Sequence, residues 1–408
     1  MEPQNDFQAL MRNWTALGPY NAIHLVRLAG GAAPERWRES AAAPVSQLGF
    51  AVPGSVEKKS PGLAEAVCAE LNRPFAGNDP PLRFFVIDEP DGTHWFGLTF
   101  NHWIADSQSI RLLMRRIFAN YTEPGSAATL PPLRHCDTPF DVLFGKANRF
   151  SSALEGLHKY FRHRRAFRAG VPEPLDFTAG FQFVRLPDGL IDRIRETSKR
   201  NGCSVNDLFV AAAAQTMGRL TAAERAGKRR KLFSPARNQV AISVVSDIRP
   251  LAQEPLDEVF GFFLSYYTAM ASDPELETLA GLSSRISTQT KAAKSMGRTL
   301  LFSHGFKIAN AWWNACRKPW QRALMFHKAV PVLGAVSNVN LTDSWIGREG
   351  RVLDYIRVSP AGPLAPVVFT LTTLGNRLTL CVTHRTTIFS NEQAAAIAEE
   401  IAGRLQIT

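Results

Sequence analysis

The residues best suited to chemistry lie in one short stretch, Phe100-Asn-His-Trp-Ile-Ala-Asp-Ser-Gln-Ser109, where His102 and Asp106 stand four positions apart. An imidazole can take a proton at neutral pH because its ordinary pKa lies near that range. On one helix face the two side chains would touch. Here an aromatic-rich run precedes His102 and helical spacing follows Asp106, so the pair sits where a strand gives way to a helix. In such a turn the ring can face a cleft while Asp106 turns inward and fixes the backbone through an ion pair. Two plainer readings compete: a core histidine with its hydrogen bonds satisfied, and an aspartate that only caps the next helix. Spacing alone does not separate them, because ordinary composition gives about 0.4 accidental pairs of this kind per chain.

The elements that must position the pair are legible around it. Leu82–Asp88 and His94–Phe100 read as strands joined through Glu89-Pro90-Asp91-Gly92, and Asp-Gly between aromatic-rich runs is a hairpin signal. Ile110, Leu113, Met114, Ile117, Phe118 and Tyr121 then repeat at helical spacing. Upstream, 21–28 reads as a strand, and 33–42 and 62–72 as helices. Residues 150–168 form a basic helical stretch. The Pro/Gly-rich 169–180 reads as a linker between a first subdomain, 1–168, and a second, 181–408. The second opens on a strand at 181–186. Ser204 to Asp207 then cap an Ala-rich helix reaching about Leu220. Strands are expected at 240–248, 262–270, 330–339, 352–358, 367–373 and 378–383, and a last helix after Ser390. Each half mixes a sheet with flanking helices, an α/β architecture with mixed sheets.

The run from Asn72 to Ile117 resembles the core of the condensation-domain superfamily, which includes chloramphenicol acetyltransferase, the BAHD acyltransferases, nonribosomal peptide condensation domains, polyketide-associated acyltransferases and wax ester synthases. The resemblance rests on Pro74-Phe75, Pro80-Pro81-Leu82-Arg83, the hairpin, His102 and Asp106 as an HxxxD motif, and the helix, all in the family's order. Ser246-Asp-Ile-Arg-Pro250 followed by Gly261-Phe-Phe, and Val336-Ser-Asn-Val339, are similar to later family segments.

The resemblance implies two chloramphenicol-acetyltransferase-like subdomains, a V-shaped pseudo-dimer with a tunnel between them. It implies an acyltransferase that uses an acyl-CoA or phosphopantetheine-linked thioester as co-substrate and needs no tightly bound cofactor and no metal. His102 would deprotonate a hydroxyl or amine acceptor, and Asp106 would be structural, paired with Arg249. Arg36, Arg38 and Arg83 are the fallback partners. Asn101, Trp103, Ser107, Ser337 and Asn338 would line the tunnel, the last two also as candidate oxyanion donors. Two residues depart from the pattern: Asn101 stands where the family's first histidine lies, and Ser107 where a glycine usually follows the aspartate. The BAHD signature DFGWG is absent.

Composition sets the outer bounds. The chain has 408 residues, 45% hydrophobic and 20% charged, which excludes a disordered polymer and favours two domains. A net charge of +11 favours anionic partners, among them an acyl carrier protein or a lipid surface. Nucleic acid is disfavoured, because no binding motif accompanies the charge. Five scattered cysteines without a CxxC pair suggest neither zinc nor a disulfide framework. No signal peptide or membrane span is read, so a cytoplasmic protein is expected, and because the two lobes implied by the resemblance build one tunnel between them, a monomer is expected. Two basic runs, Lys159–Arg168 and Arg225–Lys231, suit phosphates or an acidic partner, or simply face solvent. Leu300–Phe326, with Trp312, Trp313 and Trp320, suits either a lipid interface or an ordinary lobe. No GxSxG, Walker or HExxH context is present. The rival reading is a catalytically silent condensation-like module that binds a carrier protein or partner enzyme.

Overall fold

The computed structural model describes residues 3, 5–60, 62–77, 79–145, 149–227, 235–295, 298–348 and 351–407. The chain divides into two compact units that interleave along the sequence. The first holds Met1–Gly145, Arg249–Leu264 and Asn340–Pro360, and the second holds the remaining three segments.

The first unit is built on a five-stranded mixed sheet in the order Val352–Val358, Asn21–Ala29, Thr93–Asn101, Leu82–Asp88, Val56–Lys59. The expected hairpin is present, with Gly92 at φ +78° and the Thr93 carbonyl accepting from the Glu89 amide at 2.9 Å. Left-handed backbone at that position is what favours glycine. Phe85 and Gly97 are register partners, and a Cβ at 97 would overlap the Phe85 ring, so this strand needs glycine there. Helix Ser107–Thr122 buries Ile110, Leu113, Met114, Ile117 and Phe118, the apolar stripe read from the sequence.

The second unit carries a six-stranded mixed sheet in the order Ala179–Leu186, Arg377–Arg385, Val367–Leu374, Gly334–Asn340, Gln239–Asp247, Leu264–Ser272. Ser204 and Asp207 form a reciprocal capping box on helix Val205–Ala226, whose alanine-rich body is buried almost throughout.

The expected boundary at 169–180 is corrected by this division. Strand Val352–Val358 pairs with Asn21–Ala29, and Val259–Phe260 with Arg134–His135, so late segments return to the first unit. The basic helix Arg149–His163 belongs instead to the second unit, where Ala166 bridges to Gln239. The Pro/Gly-rich stretch is not a free linker. The Arg385 guanidinium donates to the carbonyls of Glu173, Pro174 and Asp176 at 3.0, 3.3 and 2.5 Å.

Candidate functional site

His102 directly follows strand Thr93–Asn101, whose end is held by register pairing of Asn101 with Asn21. The His102 amide donates to the Tyr20 carbonyl at 3.0 Å, and the Ile104 amide to the Asn101 carbonyl at 3.0 Å, which closes the turn. The residue as a whole is half-buried, and its ring stands among Tyr20, Phe100 and Phe262, with centroids 5.8, 5.7 and 5.8 Å away. Enclosure by these rings lowers its pKa to about 4, although the charge of Asp106 and the Ala105 backbone favour the protonated form. At neutral pH the imidazole is therefore uncharged. Its Nδ1 and the neighbouring Asn101 Oδ1 are shielded, and neither has a hydrogen-bonding partner among the described residues.

Asp106 turns away from this ring and is fully buried. Oδ1 accepts from the Ser109 amide at 2.9 Å and from Arg249 Nη2 at 3.0 Å. Oδ2 accepts from Arg249 Nη1 at 2.8 Å and from the Phe263 amide at 2.8 Å. The plain capping role thus coexists with the ion pair, since Asp106 is also the N-cap of helix Ser107–Thr122. Burial acts to raise its pKa, but the Arg249 guanidinium and the two amides outweigh it and hold the carboxylate below its usual range. Arg249 also lies over the Phe263 ring, 4.5 Å from its centroid. The fallback arginines are engaged elsewhere: Arg36 with the Tyr121 carbonyl, Arg38 with Glu35 and Arg83 with Glu70.

Ser109 was not singled out in the sequence, yet it completes the lock. Its hydroxyl donates to the Gly261 carbonyl at 2.8 Å and accepts from Arg249 Nη2 at 2.9 Å and the Gly261 amide at 3.0 Å. Its position three residues after the capping aspartate was the available signal. Ser107, the departure from glycine, accepts from Arg111 Nη1 at 2.8 Å and Arg357 Nη1 at 3.2 Å. Arg111 stands one helical turn away, but Arg357 comes from a distant strand and no local pattern marks it. Beside Arg357 in the sheet, His24 Nδ1 is 2.7 Å from the Tyr355 hydroxyl. Burial, reinforced by Arg357, Arg111 and His102, pushes the His24 pKa far down. Trp103 is partly exposed, with the Arg12 guanidinium 5.4 Å from its ring centroid.

The first unit therefore gathers Asn101, His102, Trp103, Asp106, Ser107 and Arg249. Ser337 and Asn338 belong to the second unit, partly exposed on strand Gly334–Asn340. Arg225, the first residue of one basic run, is not in a loop. It ends helix Val205–Ala226, is buried, and pairs with Asp273 at 3.0 Å and with Glu275, while 228–231 lie outside the described residues. In the aromatic segment Trp313 is buried, whereas Trp312 and Trp320 are exposed. Among the described residues no helix is long and apolar enough to cross a membrane, and no three metal-ligating side chains are placed to hold an ion.

No protein-family model and no curated protein matches the chain. Solved structures do. The first condensation domain of the calcium-dependent antibiotic synthetase, in complex with substrate analogue 2a, aligns with a TM-score of 0.67 at 13% identity, covering 100% of this chain and 95% of that one. The condensation domain of the monacolin K polyketide synthase MokA gives 0.65 at 13%, with 99% and 96% coverage. The X-domain from teicoplanin biosynthesis, in its complex with OxyB, gives 0.56 at 15%, with 98% and 92% coverage. At these identities the likeness establishes the fold, the mixed α/β condensation-domain fold with two chloramphenicol-acetyltransferase-like lobes, as expected from the HxxxD region.

Proposed function

We propose that this condensation-domain fold is an acyltransferase, moving an acyl group from a coenzyme A or carrier-protein thioester to a hydroxyl or amine, with His102 as general base. The observation that carries the reading is the separation of roles in the turn. Asp106 spends both oxygens on Arg249 and two backbone amides, so it orients the turn, while the imidazole stays neutral and its Nδ1 is left without a hydrogen-bonding partner among the described residues.

His102 accepts the proton of the acceptor's O–H or N–H as that atom attacks the thioester carbonyl carbon. The carbonyl π electrons move onto oxygen, giving an oxyanion that hydrogen-bond donors at the site would stabilise. Collapse of the intermediate breaks the carbon–sulfur bond, and the departing thiolate recovers the proton from the imidazolium. Holding both reactants in one place contributes further acceleration.

The pH dependence follows from the lowered pKa. The neutral ring is the active form, so kcat/KM is expected to stay level from pH 7 to about 5 and to fall as pH drops through about 4. Rates measured with an acyl-pantetheine thioester, with each sample returned to pH 7 to check recovery, test this. A half-loss near the ordinary histidine value would contradict the enclosed placement of the base.

A second reading is a silent module that binds a carrier protein or partner enzyme. Asn101 and Ser107 in place of the usual residues favour it, as does the fold likeness to an X-domain solved in complex with OxyB. Binding of the thioester without release of free thiol would establish that reading and overturn the first.

A further inference from the structure

Helix Arg149–His163, in the second unit, is amphipathic the wrong way round. Glu155, His158, Lys159, Arg162 and His163 follow one another at i, i+3, i+4, i+7 and i+8, so they share one face. That face lines a cavity of about 320 Å³ closed by Tyr266, Tyr267 and Gln289. Leu154, Leu157 and Phe161, on other faces, are 51%, 52% and 53% exposed. A helix that turns its titratable stripe inward and its apolar residues outward forfeits burial energy, of order 25 cal/mol per Å² of apolar surface. The arrangement calls for a chemical reason.

The cavity's interior supplies one. Lys159 Nζ is shielded from solvent and lies 4.3 Å from the Tyr266 ring centroid. Desolvation drives its pKa well below the usual lysine range, Arg162 adds to this, and Glu155 opposes it. The Arg162 guanidinium is oriented by Gln289 Oε1, and Gln289 is itself fixed by the Met270 backbone at 3.0 Å in both directions. His163 is a fixed wall, its Nδ1 2.8 Å from the Lys159 carbonyl and its Nε2 3.3 Å from Thr268 Oγ1. Lys159, Arg162 and Glu155 therefore line one cavity, with His158 at its exposed rim.

We propose that this cavity binds a small phosphate-bearing anion through Lys159 and Arg162. A phosphate carries up to about two negative charges and three acceptor oxygens, which suit a guanidinium and an ammonium together better than a carboxylate does. The volume lies at the lower end of the ~300–1,000 Å³ usual for small-molecule sites, and the two tyrosine rings offer apolar wall to an organic portion. The inference is independent of the acyl-transfer reading, which concerns His102 in the first unit.

Calorimetric titration of the full chain at pH 7.5 tests it. Adenosine 3′,5′-bisphosphate and inorganic phosphate are the two probes. Saturable binding is expected. A preference for the nucleotide identifies a phosphate ester as occupant, and equal affinity identifies free phosphate. Lys159→Met should weaken binding at least about tenfold, the loss usual for a desolvated charged hydrogen bond; Arg162→Gln should weaken binding similarly. Should a variant fail to fold, the melting temperature of the wild type should rise with probe concentration. No saturable binding of either probe, binding unaffected by both substitutions, or a wild-type melting temperature unmoved by the probes would overturn the proposal.

Discussion

Replacing His102 by alanine is expected to lower kcat for acyl transfer by about 10²–10⁴-fold and to leave KM nearly unchanged. The size follows from the role: proton removal from the acceptor matters only as the new bond forms, so its loss appears in the transition state and not in substrate binding. The ring's neighbours are Tyr20, Phe100 and Phe262, which hold it by packing. A purely structural histidine would behave differently. Its removal would reduce the fraction of folded protein while the folded remainder turned over at the wild-type rate. Steady-state kinetics normalised to folded protein, measured by circular dichroism, separates the two cases.

The second large effect is expected at Arg249. In Arg249→Met the Asp106 carboxylate keeps its amide partners but stays buried without its cation, and breaking such a pair costs about 3–5 kcal/mol. Arg249→Lys keeps the charge but loses the two-pronged geometry and the second bond to Ser109, so an intermediate loss is expected. Adding Asp106→Asn to Arg249→Met should recover part of the stability, because the stranded charge is removed. Urea unfolding followed by tryptophan fluorescence measures all three. If Arg249→Met lies within about 1 kcal/mol of wild type, the range of an exposed pair, the lock is not what holds the turn.

Much of this site could be read from local pattern. Asp91-Gly92 dictates the hairpin, the aromatic-rich runs on either side dictate its strands, and Ile110 through Tyr121 dictate the helix, so the strand-to-helix position of His102 is set by residues within about twenty positions. Arg249 stands 143 residues from Asp106 and was reached through the family resemblance. Ser109 offered a weak local signal, and Arg357 none, because its approach to Ser107 depends on which strand lies beside Asn21–Ala29. The same non-local pairing defeated the domain boundary. A Pro/Gly-rich stretch looks like a linker unless one knows that Arg385, more than two hundred residues away, binds its carbonyls. The helix Arg149–His163 was visible as basic and helical, but its inward polar face is a property of packing.

Acyl transfer itself is tested most directly by incubating the wild-type chain with an acyl-pantetheine thioester, the portion shared by coenzyme A and carrier-protein donors, together with a panel of alcohols and amines. Free thiol and acylated acceptor are then quantified by mass spectrometry. The account predicts equal amounts of both with at least one acceptor, formed faster than in the protein-free control and lost in His102→Ala. Thioester that is bound but neither cleaved nor transferred, across acyl chains and acceptors, would contradict it.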